Sequence, residues 1–491
     1  MKKITTLLAC AGALTLVSCN CSQGDFRTIN FTEDTLSVLK NPCNGWGVYD
    51  DANGPVQNAD EYWKEQDEAA RKYASFFYVR WRWSDMEPEE GKYAWLYDEN
   101  YKKLIKGALD RGLKLCFRVY TDSQDNLYQS TPEYVRKAGA DGYMAKDFYG
   151  KPVWTPYPDD GIFLDKLEKF VKAFAAEYDN PAIVDFVDAY NIGFWGECHS
   201  INLKRKGQEQ LEKVFDRISG IYSENFKNVM LVLPFGSQVG FEAEKRIAID
   251  GKGYSMRRDG LGSMWFSNRE QEITQEMYGK TLMIGESCWW QSSSDSIRPF
   301  ASDKKYKLNT WRDVYELTCK QAIEHHFNTL DLREIPETTG WTTRAKDLVE
   351  KFAVNGGYRI HPISVTCPVE MTVEDSVFIK HKWINTGNGY LPNNVKNWRF
   401  KYKPAFALID SNGKPVKVFV DNDAEPSLWL NNNATDYVFN IRMGGVKAGK
   451  YKWAVAIVDT EHGNRPGIKL AVDKPELTDD GWIILCATKI K

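Results

Sequence analysis

Histidine is scarce in this chain, six in 491 residues, and no H-x-H or H-E-x-x-H pair occurs. The ligand sets of metal-dependent barrel hydrolases are therefore missing, and no metal and no cofactor is expected. No Gly-x-Ser-x-Gly elbow and no P-loop is present, and no G-x-G-x-x-G follows the first apolar strand, which removes the dinucleotide signature of an open α/β sheet. A basic surplus is also lacking: the net charge of −3 gives no concentrated positive surface for nucleic acid or anionic membrane. The ten cysteines are scattered without the spacing of a zinc ribbon or a disulfide framework. Internal repeats and low-complexity segments are absent as well. The chain is not short of aromatics. Seventeen tryptophans exceed what a core usually calls for, and an indole face suits the apolar face of a sugar ring as well as it suits a core.

The first residues read as an address. Lys2-Lys3 is followed by an apolar run over 4–17 that is short for a bilayer span, and Leu16-Val-Ser-Cys19 closes it. That tetrapeptide resembles a bacterial lipoprotein box, which implies cleavage after residue 18, lipid on Cys19, and an exported body held at the cell envelope by its N-terminus. An unlipidated secretory leader is the alternative. Residues 19–40 are expected to form a polar tether.

From there strand and amphipathic helix alternate. Strands are expected at 46–49, 76–81, 113–119, 183–190, 229–233, 261–266, 281–285 and 329–332, and helices near 59–73, 98–111, 163–178, 208–222, 310–325 and 342–355. The segment near 122–160 reads as a long loop carrying Pro152, Pro156 and Pro158. Eight strands alternating with helices predict a (β/α)8 barrel over 41–357, with a doubly wound open sheet as the alternative. After Gly356-Gly357 the periodicity becomes two, with Val377, Ile379 and Trp383 on one strand face and Tyr451, Trp453, Val455 and Ile457 on another. A β-sandwich over 358–491 is expected.

Residues at the C-terminal ends of barrel strands are those free to act. Two glutamates fall there. Glu197 follows the apolar fourth strand and the loop Asn191-Ile-Gly-Phe-Trp-Gly196, and Glu286 ends Thr281-Leu-Met-Ile-Gly. Hydrolysis of an acetal needs a proton for the departing oxygen and a negative group beneath the anomeric carbon, which two carboxyls of different pKa supply. Glu197 is the candidate general acid/base and Glu286 the candidate nucleophile; the alternative for each is a structural glutamate paired with an arginine. Trp46, Arg80, Arg82, Arg118, Asn191, Trp195, His199, Trp265, Trp289 and Trp290 are the candidate substrate-binding residues. The arginines can hold a nucleophile ionised or bind an acidic sugar, and His199 is expected as a hydrogen-bonded wall residue. Cys198 and Cys288 flank the two glutamates, and their pairing is left open.

The stretch Tyr78-Val-Arg-Trp-Arg-Trp-Ser-Asp-Met-Glu-Pro-Glu-Glu-Gly-Lys-Tyr-Ala-Trp95 resembles the second-strand region of clan A glycoside hydrolases of β-galactosidase-like and cellulase-like type. Ile284-Gly-Glu286 is similar to their nucleophile strand, and Glu197 falls where their acid/base strand ends. The whole chain looks like secreted Bacteroidetes-type lipoproteins that join such a barrel to a C-terminal β domain. The resemblance implies a retaining glycosidase that cleaves O-glycosidic bonds of an oligo- or polysaccharide by double displacement. A noncatalytic carbohydrate-binding lipoprotein on a degenerate barrel is the alternative. Two positions depart from the pattern: Gly196 rather than Asn precedes Glu197, and Trp265-Phe-Ser-Asn268 stands where a tyrosine contacting the nucleophile is usual.

Overall fold

The computed structural model of the protein describes residues 25–50, 55–122, 129–147, 149–291 and 299–491. The leader and Cys19 lie outside them. Eight parallel strands close into a barrel: Gly45–Tyr49, Ala74–Arg82, Lys114–Tyr120, Val184–Asp188, Met230–Pro234, Ser255–Leu261, Met283–Ser287 and Thr329–Arg333. Their alternation sorts the side chains into two layers. Val48, Phe77, Val79, Leu115, Phe117, Val187, Leu231, Leu233, Leu330 and Leu332 face outward into one core shared with the helices. Phe76, Tyr78, Cys116, Phe186, Met230, Val232 and Ile284 belong to a second core, on the inner face that a barrel must fill.

That inner core continues into the C-terminal domain, where it includes Trp383, Trp429 and Trp453. Here Phe26–Asn30, Ile360–Pro368, Ser376–Asn385 and Thr435–Arg442 make one antiparallel sheet, and the other is built on Tyr402–Ile409, Gly449–Asp459 and Ile483–Ile490. The two form a sandwich against the N-terminal ends of the barrel strands. Asn328, one residue before the eighth strand, donates to the carbonyls of Cys43 and Tyr390, and Tyr358 N–H is accepted by Asn44. The barrel is thus plugged at one end, and its C-terminal end is left to the site.

Four expectations about elements change. The sixth strand is Ser255–Leu261, not 261–266, because its inner face carries Arg257 and Asp259 in place of an apolar run. Part of the expected tether is a strand: Phe26–Asn30 pairs antiparallel with Ile360–Pro368, and Phe26 stacks on Phe378 with centroids 4.5 Å apart. The last expected helix is two, Ile335–Arg344 and Lys346–Asn355. Within the long loop, Gly142–Lys146 and Pro152–Pro156 form a hairpin.

Trp46 does not reach the strand-end face. It shares the outward parity of Val48, lies edge-on to Trp341 and Phe352 at 5.1 and 5.0 Å, and donates its indole N–H to the Val349 carbonyl at 2.9 Å. It is fully buried between barrel and helices. Trp46→Ala is therefore expected to cost about 3–5 kcal/mol, read as a lower midpoint in denaturant unfolding; an unchanged midpoint contradicts this placement.

Candidate active site

Above the apolar plug, the inner positions turn polar. The second strand runs Phe76, Tyr78, Arg80 on its inner face, the third Cys116 then Arg118, the fourth Phe186 then Asp188, the sixth Arg257 then Asp259, and the seventh Ile284 then Glu286. The barrel floor is consequently a sheet of paired charges. Arg118 is its hub, with Nε 3.0 Å from Asp188, Nη1 2.8 Å from Glu197, and Nη2 2.8 Å from Asp259 and 3.6 Å from Glu286. Arg257 binds Asp259 at 2.8 Å and contacts Glu286 Oε2 directly. Arg333 reaches Glu286 Oε1 at 3.3 Å and Glu337 at 3.2 Å. Isolated charges in such a place would each cost several kcal/mol; they persist because every guanidinium faces more than one carboxylate.

Glu286 is therefore enclosed by cations and by one phenol, since Tyr49 Oη donates to its Oε2 at 3.1 Å. That phenol comes from the first strand, Gly45–Tyr49. Tyr49 is itself held as a neutral phenol by burial, which pushes its pKa well above the ordinary value. Asp259 is the opposite case: burial raises its pKa, but the Arg118 and Arg257 guanidiniums outweigh this and hold it well below the usual carboxylate range. Glu197 and Asp259 are close enough to hydrogen bond. Oxygens of Glu197, Asp259 and Glu286 all lie within 4.8 Å of one another.

Glu197 arrives by a tight loop. Gly193, Trp195, Gly196, Cys198 and Ser200 all have positive φ, a conformation that is strained for a tryptophan. A Cβ on Gly193 would lie 2.5 Å from the His199 carbonyl, so glycine is required there. The loop is braced by Trp195 N–H to the Asp122 carbonyl at 2.9 Å and by Gln238 N–H to the Cys198 carbonyl at 3.0 Å. Glu197 is left with His199 Nε2 at 3.5 Å from its second oxygen.

A cleft of about 930 Å³ opens over these groups, within the range of small-ligand sites. Arg80, Trp195, Glu197, His199, Trp265, Glu286, Trp289 and Trp290 all line it. Trp290 forms a wall above Glu286, with the Arg333 guanidinium 3.8 Å and that of Arg80 5.5 Å from its ring. Trp265 stands at the mouth, 57% exposed.

The other candidates lie elsewhere. Arg82 pairs with Asp85 (Nη2 to Oδ1, 3.0 Å) in the helical turn after its strand, away from the cleft. Arg118 is buried beneath the carboxylates, so it organises them instead of meeting a ligand. Asn191 is buried under the 193–197 loop, and its carbonyl accepts from Thr121 N–H. Cys198 and Cys288 are both free thiols. Sequence reasoning missed Tyr49, Asp188, Arg257 and Asp259; an Arg-Arg-Asp run inside a strand-length segment was the available signal.

No protein-family model matches the sequence, and no curated protein matches it. Among solved structures, the chain is similar to the catalytic domain of a β-amylase from Paenibacillus polymyxa at 10% identity, with 62% of this chain and 99% of that one covered and a TM-score of 0.40. Endo-glycoceramidase II from Rhodococcus sp. aligns at 12% identity over 83% of this chain and 99% of its own, with a TM-score of 0.40. A glycoside hydrolase family 5 enzyme from Prevotella bryantii B14, solved with a xyloglucan oligosaccharide, aligns at 12% over 66% and 99%, with a TM-score of 0.39. At such distance the chemistry is read from the cleft itself.

The buried Glu337 provides a test of the charge floor. Burial, only partly offset by Arg333, pushes its pKa up to about 8, against about 4.3 in an unfolded chain. The folded state then keeps a proton that the unfolded state releases, so the stability this group contributes is complete below about pH 4 and is lost as pH rises through about 8. In Glu337→Gln, stability should fall less steeply between about pH 5 and 8 than in the parent, by up to about 1.4 kcal/mol per pH unit. Parallel stability–pH curves for the two proteins contradict the assignment.

Proposed function

We propose that the protein is a retaining glycoside hydrolase acting on an oligo- or polysaccharide. The observation that carries this reading is the set of carboxylate oxygens within 4.8 Å of one another at the floor of a tryptophan-lined cleft. Retaining enzymes hold their two carboxyls about 5–5.5 Å apart, whereas inverting ones need about 6.5–9.5 Å for a water. Glu286, surrounded by Arg257, Arg333 and Arg118, attacks the anomeric carbon while Glu197 gives its proton to the departing oxygen. Asp259, held ionised, supports that proton through its contact with Glu197. In the second half-reaction Glu197 takes a proton from water, whose oxygen displaces Glu286 from the sugar. The 1–18 leader and Cys19 support an exported, lipid-anchored location for this activity.

The cleft's charge favours a neutral sugar. Its acids are Glu197, Asp259, Glu286 and Glu334, against Arg80 and Arg258. Arg258 is occupied, with Nε 3.0 Å from Glu270 and its two Nη groups donating to the Asp259 and Trp265 carbonyls at 2.6 Å. Arg80 lies 3.7 Å from Glu197 and stacks near Trp290 and Tyr120. A uronate or sulfate would meet the carboxylates of Asp259, Glu286 and Glu334, with no lining guanidinium reserved for it.

One observation favours a second reading, a noncatalytic carbohydrate-binding protein: both oxygens of Glu286 are already engaged by arginines. The two readings part on substitution. Glu286→Gln and Glu197→Gln should each lower release of reducing sugar by about 10²–10⁴-fold while leaving glycan retention in place, and proton NMR of the first product should show the substrate's anomeric configuration. Wild-type protein that retains glycans but releases no sugar supports the binding reading, and an inverted first product refutes double displacement. In a matched screen, neutral glycans should be cleaved at least about tenfold faster than their uronate or sulfated counterparts; the reverse order refutes the charge argument.

A further inference from the structure

Two cysteines face one another across the sandwich, far from the cleft. Cys367 lies near the end of Ile360–Pro368 in one sheet and Cys486 lies within Ile483–Ile490 in the other. Their sulfurs are 3.4 Å apart, and both side chains are buried among the domain's core residues. Among the described cysteines, theirs are the sulfurs in mutual contact.

The contact is imposed by backbone register. Immediately after Cys367 the chain crosses from one sheet to the other, and that corner is pinned on several sides. The Pro368 carbonyl accepts from Trp453 Nε1 at 2.9 Å and from Thr488 Oγ1 at 3.1 Å, and the Val369 carbonyl accepts from Lys489 N–H at 2.9 Å. Glu370 then pairs with Lys489 and Met371 with Ile490. Cys486 sits opposite Trp453 on its own sheet, and Cys367 sits opposite Arg27 on the other. Strands fixed in this way hold the two Cβ carbons across a short gap, and rotation about each Cα–Cβ bond can close it to bonding distance.

We propose that Cys367 and Cys486 form an inter-sheet disulfide when the chain folds in an oxidising compartment. The oxidant is a disulfide compound, either small-molecule or protein-borne. The Cys486 thiolate attacks one of its sulfurs and expels a thiolate, giving a mixed disulfide. Cys367 loses its proton and attacks the Cys486 sulfur, and the second thiolate of the oxidant leaves. Two thiol protons and two electrons are removed from the protein, one S–S bond forms in it, and the oxidant ends as two thiols. The link joins positions 119 apart, a long loop whose closure restricts the unfolded chain strongly, and it fastens the two sheets that plug the barrel.

The test is peptide mapping of the full-length chain refolded in oxidised glutathione, denatured with an alkylating agent and digested without reductant. The expected result is a cross-linked peptide pair containing Cys367 and Cys486, a free-thiol count lower by two, and loss of both signals on reduction. Reduction should also lower the melting temperature by roughly 5 °C or more, and the melting temperature of a C367S/C486S variant should not respond to reductant. Alkylation of both cysteines in every oxidised sample, or a link of either one to a different cysteine, overturns the proposal. Mapping of the unaltered chain decides the matter even where the double variant fails to fold.

Discussion

Every feature of the site depends on the arginine-centred charge floor inside the barrel. Arg118, Arg257 and Arg333 are fully buried, as are Asp188 and Glu286. None of these groups is tolerable there alone, because a desolvated charge without a partner costs more than most single interactions return. Their mutual pairing removes that cost and imposes a condition on the backbone. The third, fourth, sixth, seventh and eighth strands must present inner residues at one level, which a closed barrel does and an open sheet does not.

The plug and the floor are complementary halves of one interior. Below, aromatic and aliphatic side chains merge with the core of the sandwich, so the charge network rests on an apolar base. Above, the network is covered only by the cleft, and the electrostatics of the floor are directed at whatever binds there. A low-dielectric base under fixed charges strengthens their effect on any charge that develops in the cleft. The strained loop that carries Glu197 fits the same scheme, since backbone strain at Trp195 is held by the hydrogen bonds of Asp122 and Gln238 and keeps one carboxyl over the others.

What was legible in the sequence followed from burial on both faces. Apolar strands such as 183–188 and 229–233 alternate with helices whose apolar stripes are plain, and the barrel emerges from their count. The sixth strand escaped because Arg257 and Asp259 occupy its inner face, so it lacks the apolar run by which strands are recognised. Trp46 was misplaced for two reasons: it is the second residue of Gly45–Tyr49, at the end of the strand away from the site, and parity within the strand turns its indole outward. Phe26–Asn30 reads as polar tether because an edge strand exposes most of its residues: only Ile29 packs against the sandwich core, while Phe26 stacks on Phe378 on the outer face.

Local chemistry in the chain is sufficient to specify eight βα units, a following all-β domain, and two glutamates at strand ends, because periodicity and turn residues act over a few positions. The neighbours of those glutamates are another matter. That Tyr49 donates to Glu286, that Arg118 lies beneath the cleft instead of facing it, and that Asp259 joins the carboxylates all follow from barrel closure. Closure brings together residues from strands far apart in the chain, and their side-chain directions depend on register, a property that no single segment contains.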